Sequence, residues 1–450
     1  MLKTRLLPDE IVANCQHPVA MRIALVNQTF YPDVVASGQH LADLACRLAQ
    51  LGHKVTVITS GRGYDSPQEI FPKRETWNEI EIHRVVNTGF GKNAKWKRAA
   101  NFATFLMSCF WRLCLLPRQD VIVALTSPPL VSAIAACFAC LRGARFCYWI
   151  MDLNPDEAIA AGWLSPSSLG AKCLERFSRF SLSRASAVVV LDRFMQQRVL
   201  DKGIKPGKIV VIPPWSHDSE VCFDLDARVR FRKANGFEDK FVIMYSGNHS
   251  PCHPLNTLLA AAKELASDKT ISFCFVGGGA EFGRVKKFAR ENGLSNITCL
   301  PYQPLEKLSA SLSAADLHVV VMGEPFVGLV HPCKLYNILR VGAPLLYLGP
   351  TPSHVSDILH KCSNWPYAQA AHGQTGQLVQ SILRLKHETV GHDQPQQFPL
   401  AAEFSKEALL PRLTAILEST VLPHRAASTL PKTEDLVPER QPRTSQTLGT

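Results

Sequence analysis

Short runs of β-branched and apolar residues alternate with amphipathic helical segments along this chain, and the alternation starts twice. The first series opens with the strand-like RIALVNQ of residues 22–28, passes through a polar loop and a helix with one apolar face, and reaches the strand-like VTVIT of residues 55–59. Strands that alternate with helices in this way predict a parallel sheet with right-handed crossovers. The predicted fold class is therefore α/β.

The alternation forms two blocks separated by a proline-rich interruption. Further strands of the first block are predicted at 81–86, 121–125, 145–150, 187–191 and 209–212. Residues 213–218, PPWSHD, break the periodicity and predict a linker. The second block has predicted strands at 241–245, 271–276, 297–300, 317–321 and 345–348, and predicted helices at 257–265, 281–292, 305–314 and 334–341. Since 450 residues can bury two cores, we expect two doubly wound domains, residues 21–213 and 214–395.

The two ends of the chain differ from these blocks. Residues 1–20 carry Asp9, Glu10 and His17 and contain no apolar run of the kind found in secretory signals, so they predict an N-terminal extension. Residues 404–418 predict a last amphipathic helix, within a segment spanning 400–420. From residue 423 to 450, prolines, threonines and charges dominate, which predicts a disordered tail.

One uncharged run, residues 121–141, is long enough to span a bilayer. Ser127-Pro128-Pro129 divides it into a strand-like and a helix-like half, which favours a buried strand, a turn and a proline-started helix. Cys137 and Cys140 lie in the helical half without a second pair at metal-binding spacing, so a helix core is favoured over a metal or redox site. The other cysteines occur singly, several in apolar contexts, which favours a reducing, cytoplasmic compartment.

Two features indicate an anionic partner. The net charge of +11 suits a phosphate, a lipid headgroup or a nucleic acid, and charge alone does not choose among them. Glycines recur where strands are predicted to end and helices to begin, at Gly38, at Gly277 and Gly278, and between Gly323 and Val330. Such positions let a phosphate approach backbone N–H groups at a helix N-terminus, although a single glycine turn can serve close packing alone.

Four segments resemble family 4 glycosyltransferases. They are MRIALVNQTFYPDVVASGQHLADLACRLAQLGHKVTVIT at the start and, in the second block, YSGNHSPCHPLNTLLAAAKEL, FVGGGAEF and GEPFVGLVHPCKLYNILRVGAPLLYLG. The resemblance covers about residues 21–390. Within the family, the chain most resembles the transferases of bacterial envelope polysaccharides such as colanic acid and O-antigen.

The resemblance implies the GT-B fold, in which two Rossmann-like domains face each other across a cleft. The second domain would hold a nucleotide sugar, the first domain an acceptor, and the last helix would return to the first domain. It further implies retaining transfer of a hexose without a metal or another cofactor, with a lipid-linked saccharide as acceptor. Without a metal, helix N-termini and protein cations must stabilise the leaving diphosphate.

On this basis, the donor would contact Asn248, His249, Gly277, Gly278, Gly328, Leu329, Val330, Lys334 and Asn337. Lys334 is the best candidate for the cation, and its alternative is a solvated lysine at a helix start. The family's two glutamates, eight positions apart, are absent: their slots hold Leu329 and Asn337, while Glu324 lies near the first and could touch the sugar. The family's arginine and lysine are replaced by Asn248, His249 and His253, and neutral histidines supply no fixed charge.

In the first domain, Asp152 follows a predicted strand in YWIMDLNPDEAI and matches an aspartate of the family. In this fold, a carboxylate at the carboxyl end of a strand faces the cleft. The resemblance implies that Asp152 is a catalytic group there, which positions the acceptor or the reacting sugar. The alternative is a helix cap, since Asn154, Pro155 and Asp156 are typical of a helix start.

Residues 92–118 begin with basic side chains, Lys92 among them, and continue with Phe105, Phe110, Trp111 and several leucines. This order suits an anionic membrane surface at the inner face of the plasma membrane, with a buried helix carrying a basic cap as the alternative. Nucleic acid fits less well because the aromatic and basic residues are segregated. Two rival functions also remain: another GT-B enzyme such as a nucleotide-sugar epimerase, and a binding scaffold without activity.

Overall fold

The computed structural model describes residues 20–33, 35–64, 66–90, 95–216, 221–362, 365–389 and 398–421. The predicted extension before Ala20, the predicted tail at 423–450, residues 217 and 218 of the predicted linker, and Lys92 lie outside these residues.

The first half of the chain forms an eight-stranded sheet. In chain order its elements are β1 (Arg22–Val26), α1 (Ala36–Gln50), β2 (Lys54–Ser60), β3 (Arg74–Trp77), β4 (Ile80–Val85), α2 (Lys95–Cys114), β5 (Val121–Ala124), α3 (Val131–Arg142), β6 (Arg145–Trp149), α4 (Asp156–Ala160), α5 (Leu169–Arg184), β7 (Ala187–Val190), α6 (Arg193–Asp201) and β8 (Ile209–Val211). The strand order is β3-β4-β2-β1-β5-β6-β7-β8, and β3 alone among these strands runs antiparallel to its neighbour.

The second half forms a six-stranded, fully parallel sheet in the order β11-β10-β9-β12-β13-β14. Its elements, with the two closing helices, are α7 (Leu225–Ala234), β9 (Phe241–Asn248), α8 (Asn256–Glu264), β10 (Ile271–Gly278), α9 (Phe282–Glu291), β11 (Ile297–Leu300), α10 (Leu308–Ser313), β12 (Leu317–Val321), α11 (Lys334–Val341), β13 (Leu345–Leu348), α12 (His354–Lys361), β14 (Tyr367–Ala370), α13 (Thr375–Thr389), α14 (Pro399–Glu403) and α15 (Lys406–Val421).

The predicted α/β class with two doubly wound sheets is confirmed. Central strands such as β5 and β12 are buried along their whole length, as continuous apolar runs covered by helices on both faces should be. Every strand predicted from periodicity is present, but β3 and β14 were missed. Both are short edge strands with polar residues, RETW and YAQA, and such strands lack the apolar run that marks a central strand.

The uncharged run of residues 121–141 folds as β5, a turn and α3, so the interpretation as a buried strand and helix is correct. Within the described residues, no helix is both long and apolar enough to cross a membrane. Cys137 and Cys140 are exposed on α3, so the prediction that they belong to a helix core is wrong. They were misplaced because α3 is apolar on nearly every side and its pattern does not identify the buried face.

The last helix, α15, packs against the first sheet rather than the second. Leu409, Leu413 and Leu417 are buried in the same core as the strands β6 and β7. At the edges of this contact, His53 Nε2 lies 3.2 Å from a Glu418 carboxylate oxygen, and Lys406 Nζ lies 2.8 Å from Asp43. The chain therefore crosses back and ties its end to the domain in which it began.

The two sheets also meet through loops at their facing edges. The Leu153 N–H donates a hydrogen bond of 2.8 Å to the Leu329 carbonyl, which joins the loop after β6 to the loop before α11. Arg193 forms a two-point ion pair with Asp357. Gly328 has a φ of +73°, and a Cβ there would lie 2.7 Å from the Phe194 backbone, so the contact requires glycine.

Candidate active site

Asp152 lies at the carboxyl end of β6, between the two sheets. Its backbone N–H lies 3.3 Å from Thr126 Oγ1, and the neighbouring Leu153 N–H bonds to the second domain. Helix α4 begins at Asp156 with Pro155 in the cap position and no side-chain cap. The helix-cap interpretation of Asp152 is therefore wrong. Its carboxyl group lies near Cys252 and Cys333 of the second domain: burial raises the pKa of both thiols, and the charge of Asp152 adds to this effect.

A second carboxyl group, Glu157, accompanies Asp152. Glu157 Oε2 accepts a hydrogen bond of 3.2 Å from Asn154, and Oε1 lies 4.0 Å from the Cys252 sulfur. Burial raises the pKa of Asp152, while burial and then the charge of Asp152 raise the pKa of Glu157 well above its ordinary range. Two such groups cannot both ionise freely, so the pair holds a proton near neutral pH and presents an acid beside a base.

Lys334 is the first residue of α11, and its ammonium group is buried. Nζ lies 3.6 Å from the centroid of the Tyr245 ring and has no hydrogen-bond partner in the part of the chain that the structure describes. Burial lowers the pKa of Lys334 to about 7. The alternative of a solvated lysine is thus wrong, and the position fits a cation that awaits an anionic ligand.

The backbone around Lys334 leaves room only for glycine. Gly247 has a φ of +133°, and a Cβ there would lie 3.1 Å from Lys334 Nζ. Gly277 lies opposite Gly247, where a Cβ would come within 2.1 Å of the Gly247 carbonyl oxygen. Strands β9 and β10 can therefore continue side by side to the point where the lysine lies.

These glycines correct the predicted phosphate loops. Gly277 and Gly278 lie inside β10, and α9 begins only at Phe282, because the ladder with β9 extends further than periodicity indicated. Gly38 lies within α1, where a Cβ would be 3.2 Å from the Phe30 nitrogen. The position of all three is explained by close packing of the backbone.

The histidines that replace the family's basic residues are neutral. His249 is fully buried, and burial together with the charge of Lys334 lowers its pKa to about 4. His253 Nδ1 lies 2.7 Å from the Val321 carbonyl, and burial lowers its pKa to about 3. Asn248, the last residue of β9, is exposed. Lys334 therefore supplies the positive charge that the histidines do not.

The other predicted donor residues divide into two groups. Leu329 and Val330 are buried at the contact between the domains beside Gly328, and Asn337 is half-buried on α11, one turn after Lys334. Glu324 is instead exposed and lines a recess with Gly349, Pro350, Thr351, Gln369 and Gln377. None of the described contacts joins Glu324 to the buried group around Lys334.

Two arginines that were not predicted lie in the first domain's half of the cleft. Arg62 and Arg98 line one recess together with Asn87 and Asn101, and neither forms an ion pair with a carboxylate of the described residues. A second recess shares Arg62, Asn87 and Thr88 and is also lined by Phe90 and Met107, which borders the exposed side of α2. Arg62 could have been found from its place two residues after β2, and Glu157 from its place as the second residue of the helix that follows Asp152.

Two family models match the chain. A Glycosyl transferase 4-like domain matches residues 36–215, and Glycosyl transferases group 1 matches residues 227–330. The chain is 26% identical over 392 residues to WcaI of Escherichia coli, whose name describes a colanic acid biosynthesis glycosyl transferase, covering 83% of this chain and 95% of that protein. It is 27% identical to WbjE of Pseudomonas aeruginosa, named as a glycosyltransferase, over 54% of this chain and 60% of that protein.

Solved structures agree on the fold. HepE of Anabaena, crystallised with UDP and glucose, aligns with a TM-score of 0.66 at 14% identity, over 89% of this chain and 100% of that one. WaaG, a glycosyltransferase of lipopolysaccharide biosynthesis, aligns with a TM-score of 0.63 at 16% identity, over 88% and 99%. At these identities the likeness establishes the arrangement of the domains.

The carboxyl pair predicts a stability that depends on pH. The pKa of Glu157 is higher in the folded than in the unfolded chain. At pH values above the ordinary glutamate pKa, the folded state therefore binds more protons than the unfolded state, and the free energy of unfolding falls as pH rises. Glu157→Gln removes this loss of stability. We expect wild type and variant to have similar free energies of unfolding near pH 5, and the variant to be more stable by about 3 kcal/mol at pH 8, in denaturant titrations.

Glu291→Gln, at the exposed end of α9, is the control and should show the same difference from wild type at both pH values. A Glu157→Gln variant whose advantage does not grow with pH would show that Glu157 ionises freely.

Proposed function

Since the chain belongs to the group 1 glycosyltransferases of the GT-B fold, which use nucleotide sugars, we propose that it transfers a hexose to a lipid-linked saccharide in the synthesis of an envelope polysaccharide. The reaction retains the configuration of the sugar and needs no metal or other cofactor for its chemistry. One observation carries the proposal: a buried lysine without a hydrogen-bond partner among the described residues begins α11 in one domain, and the loop before it contacts the other domain's loop that carries Asp152 and leads to Glu157, two carboxyl groups whose pKa burial raises.

The donor binds to the second domain, with its diphosphate at Lys334. The start of α11 adds the positive end of a helix, which favours an anion at this N-terminus. The loop Gly328–Val330 borders the same position. Asn337 contacts the ribose, Glu324 contacts the sugar from the exposed side, and Asn248, His249, Gly277 and Gly278 border the nucleotide. HepE provides a parallel, because its crystals contain UDP-glucose.

The chemistry consists of departure of the diphosphate and attack by an acceptor hydroxyl. Lys334, charged once an anion is bound, stabilises the leaving group in a site from which water is largely excluded. Asp152 orients the acceptor hydroxyl and accepts a hydrogen bond from it, and Glu157 keeps the proton that the pair shares. The proposals that the configuration is retained and that the sugar is a hexose rest on the resemblance to the family.

The acceptor enters along the first domain. Arg62 and Arg98 supply positive charge with no carboxylate partner in the described chain, which suits the diphosphate that links a saccharide to a polyprenol. The adjoining recess is bordered by Phe90 and Met107, so an apolar chain can leave the cleft along α2. The likeness to WcaI supports an envelope polysaccharide as the product.

Helix α2 supports a proposal that this entrance lies at a membrane. The inner face of α2 is buried, and Phe105 on this face is fully enclosed. This face therefore agrees with the alternative of a helix packed within the domain. Its outer face exposes a stripe at helical spacing, with Trp111 exposed by 64% and Leu115 by 74%, beside Leu141 of α3. Arg118 and Arg142 lie next to this apolar end and suit anionic headgroups. We place the protein at the inner face of the plasma membrane, as a peripheral enzyme.

Lys334→Ala should weaken binding of a nucleoside diphosphate by about tenfold or more and leave binding of the nucleoside nearly unchanged, because the charge acts on phosphate. In wild type, affinity for the diphosphate should fall as pH rises above about 7, where the free lysine loses its proton. Calorimetric titrations of both ligands test this, with Lys361→Ala on the surface of α12 as the control. Equal losses for both ligands would show that Lys334 does not bind phosphate.

The reaction itself is tested with a panel of nucleotide sugars and a polyprenyl-diphosphate-linked saccharide, with no divalent cation added. We expect a product that contains one more sugar in the donor's anomeric configuration, identified by mass spectrometry and NMR. Asp152→Asn should lower kcat by about 100-fold or more while donor affinity is preserved. Epimerised donor without an acceptor would establish the rival enzyme class, and donor binding without turnover would establish a scaffold.

Attachment to anionic vesicles should be strong at low salt and weaken as salt rises, since each basic group near the surface contributes about 1 kcal/mol and is screened beyond a Debye length. Trp111→Ser with Leu115→Ser should reduce co-sedimentation severalfold without loss of circular dichroism, because both side chains are exposed. The matched control replaces the exposed Leu169 and Phe177 of α5 by serine and should bind like wild type. Equal binding of the two double variants would contradict the proposal.

A further inference from the structure

Three potential metal ligands from three separate segments meet where the two domains touch. Asp192 precedes α6 in the first domain, His331 lies in the loop before α11, and His354 is the first residue of α12. One ligand atom from each residue lies within 4.8 Å of the other two. Asp192 and His354 are buried, and the His331 side chain is 1% exposed.

The contacts of Asp192 and His331 hold them in orientations suited to coordination. Asp192 Oδ1 accepts a hydrogen bond of 2.8 Å from the Met195 N–H, which leaves Oδ2 to face His331 Nδ1 at 2.7 Å. His331 Nε2 lies 2.6 Å from the Tyr336 hydroxyl. A histidine whose outer nitrogen is held by a second group in this way has its inner nitrogen fixed for a ligand.

His354 is the feature that ordinary packing does not explain. Only 4% of the residue is exposed, yet neither ring nitrogen has a hydrogen-bond partner among the described residues. Its Nδ1 lies 3.8 Å from Asp192 Oδ2, too far for a hydrogen bond, and its ring is stacked on that of His331 with centroids 3.9 Å apart. Burying an imidazole without partners is unfavourable unless another species fills the gap.

We propose that Asp192, His331 and His354 bind a divalent transition metal of the zinc class, which joins the first domain to the second. Two imidazoles and one carboxylate, with a water as fourth ligand, are a set that zinc accepts. In a tetrahedral zinc site, neighbouring ligand atoms are about 3.3 Å apart, given bonds of about 2.0 Å. The distances of 2.7 and 3.8 Å from Asp192 Oδ2 lie on either side of this value, so modest side-chain rotations complete the site.

The charges around the cluster permit a cation. The nearest arginine in sequence, Arg193, is engaged by Asp357 through two hydrogen bonds of 2.5 and 2.8 Å. The metal would be structural: it would connect the cap of α6 to the segment that follows Gly328–Val330 and so fix the contact between the domains. This role is separate from sugar transfer, whose chemistry is assigned to Lys334 and the carboxyl pair.

The test uses the full chain, stripped with a chelator and then titrated with zinc against a chromophoric competitor. We expect one zinc per chain by elemental analysis, a rise of the melting temperature with zinc, and visible absorption bands when cobalt replaces zinc. His354→Gln and Asp192→Asn should weaken zinc binding by tenfold or more and remove the zinc-dependent rise. Asparagine can still cap α6, so Asp192→Asn should keep the fold.

His360→Gln is the matched control, because His360 is exposed on the same helix as His354. It should bind zinc like wild type. Stoichiometric zinc in all four proteins with equal affinity would place the metal elsewhere and overturn the proposal. So would the absence of zinc binding in wild type, in which case a water molecule solvates His354. None of these readouts depends on transferase activity, so they stand or fall separately from the proposed function.

Discussion

The parallel pairing of strands determines where everything else in this protein lies. In a parallel sheet all strands end at the same edge, so the loops that follow them are gathered there whatever their order in the chain. The loops after β2 and β6 bring Arg62 and Asp152 to one edge of the first sheet. The loops after β9 and β12 do the same for the second sheet. Because the two edges face each other, residues nearly two hundred positions apart share one cleft.

Within the cleft, burial decides the protonation states. Lys334 lies over an aromatic ring and has no carboxylate partner in the described part of the chain, and burial lowers its pKa to about 7. The same burial keeps His249 and His253 neutral and raises the pKa of Asp152 and Glu157. An anionic ligand would restore the full charge of the lysine. In the proposed donor site, the positive charge would therefore be strongest when a phosphate is bound.

The contact between the domains uses backbone and side chains from the same loops that border the cleft. Gly328 and Leu329 pack against the first domain, directly before His331 and shortly before Lys334. A change in the relative position of the domains must therefore move the residues for which we propose contact with the donor. Burial of Asp192 raises its pKa, but its hydrogen bond with His331 and several weaker interactions together outweigh burial and the pKa falls to about 2, so the Asp192 carboxylate is ionised near neutral pH.

The sequence by itself determined the α/β class, the two sheets and the positions of their central strands, because a strand covered on both faces must be apolar along its whole length. It also drew attention to Asp152 and Lys334, through their places after a strand and at a helix start. It did not reveal β3 and β14, whose polar residues suit an edge, or that Cys137 and Cys140 face outward. Only the tertiary structure decided that the Lys334 ammonium group is buried, that burial and the charge of Asp152 raise the pKa of Glu157, and that Glu324 stands apart. Burial and proximity between distant segments depend on how the sheets pack, and local periodicity carries no record of them.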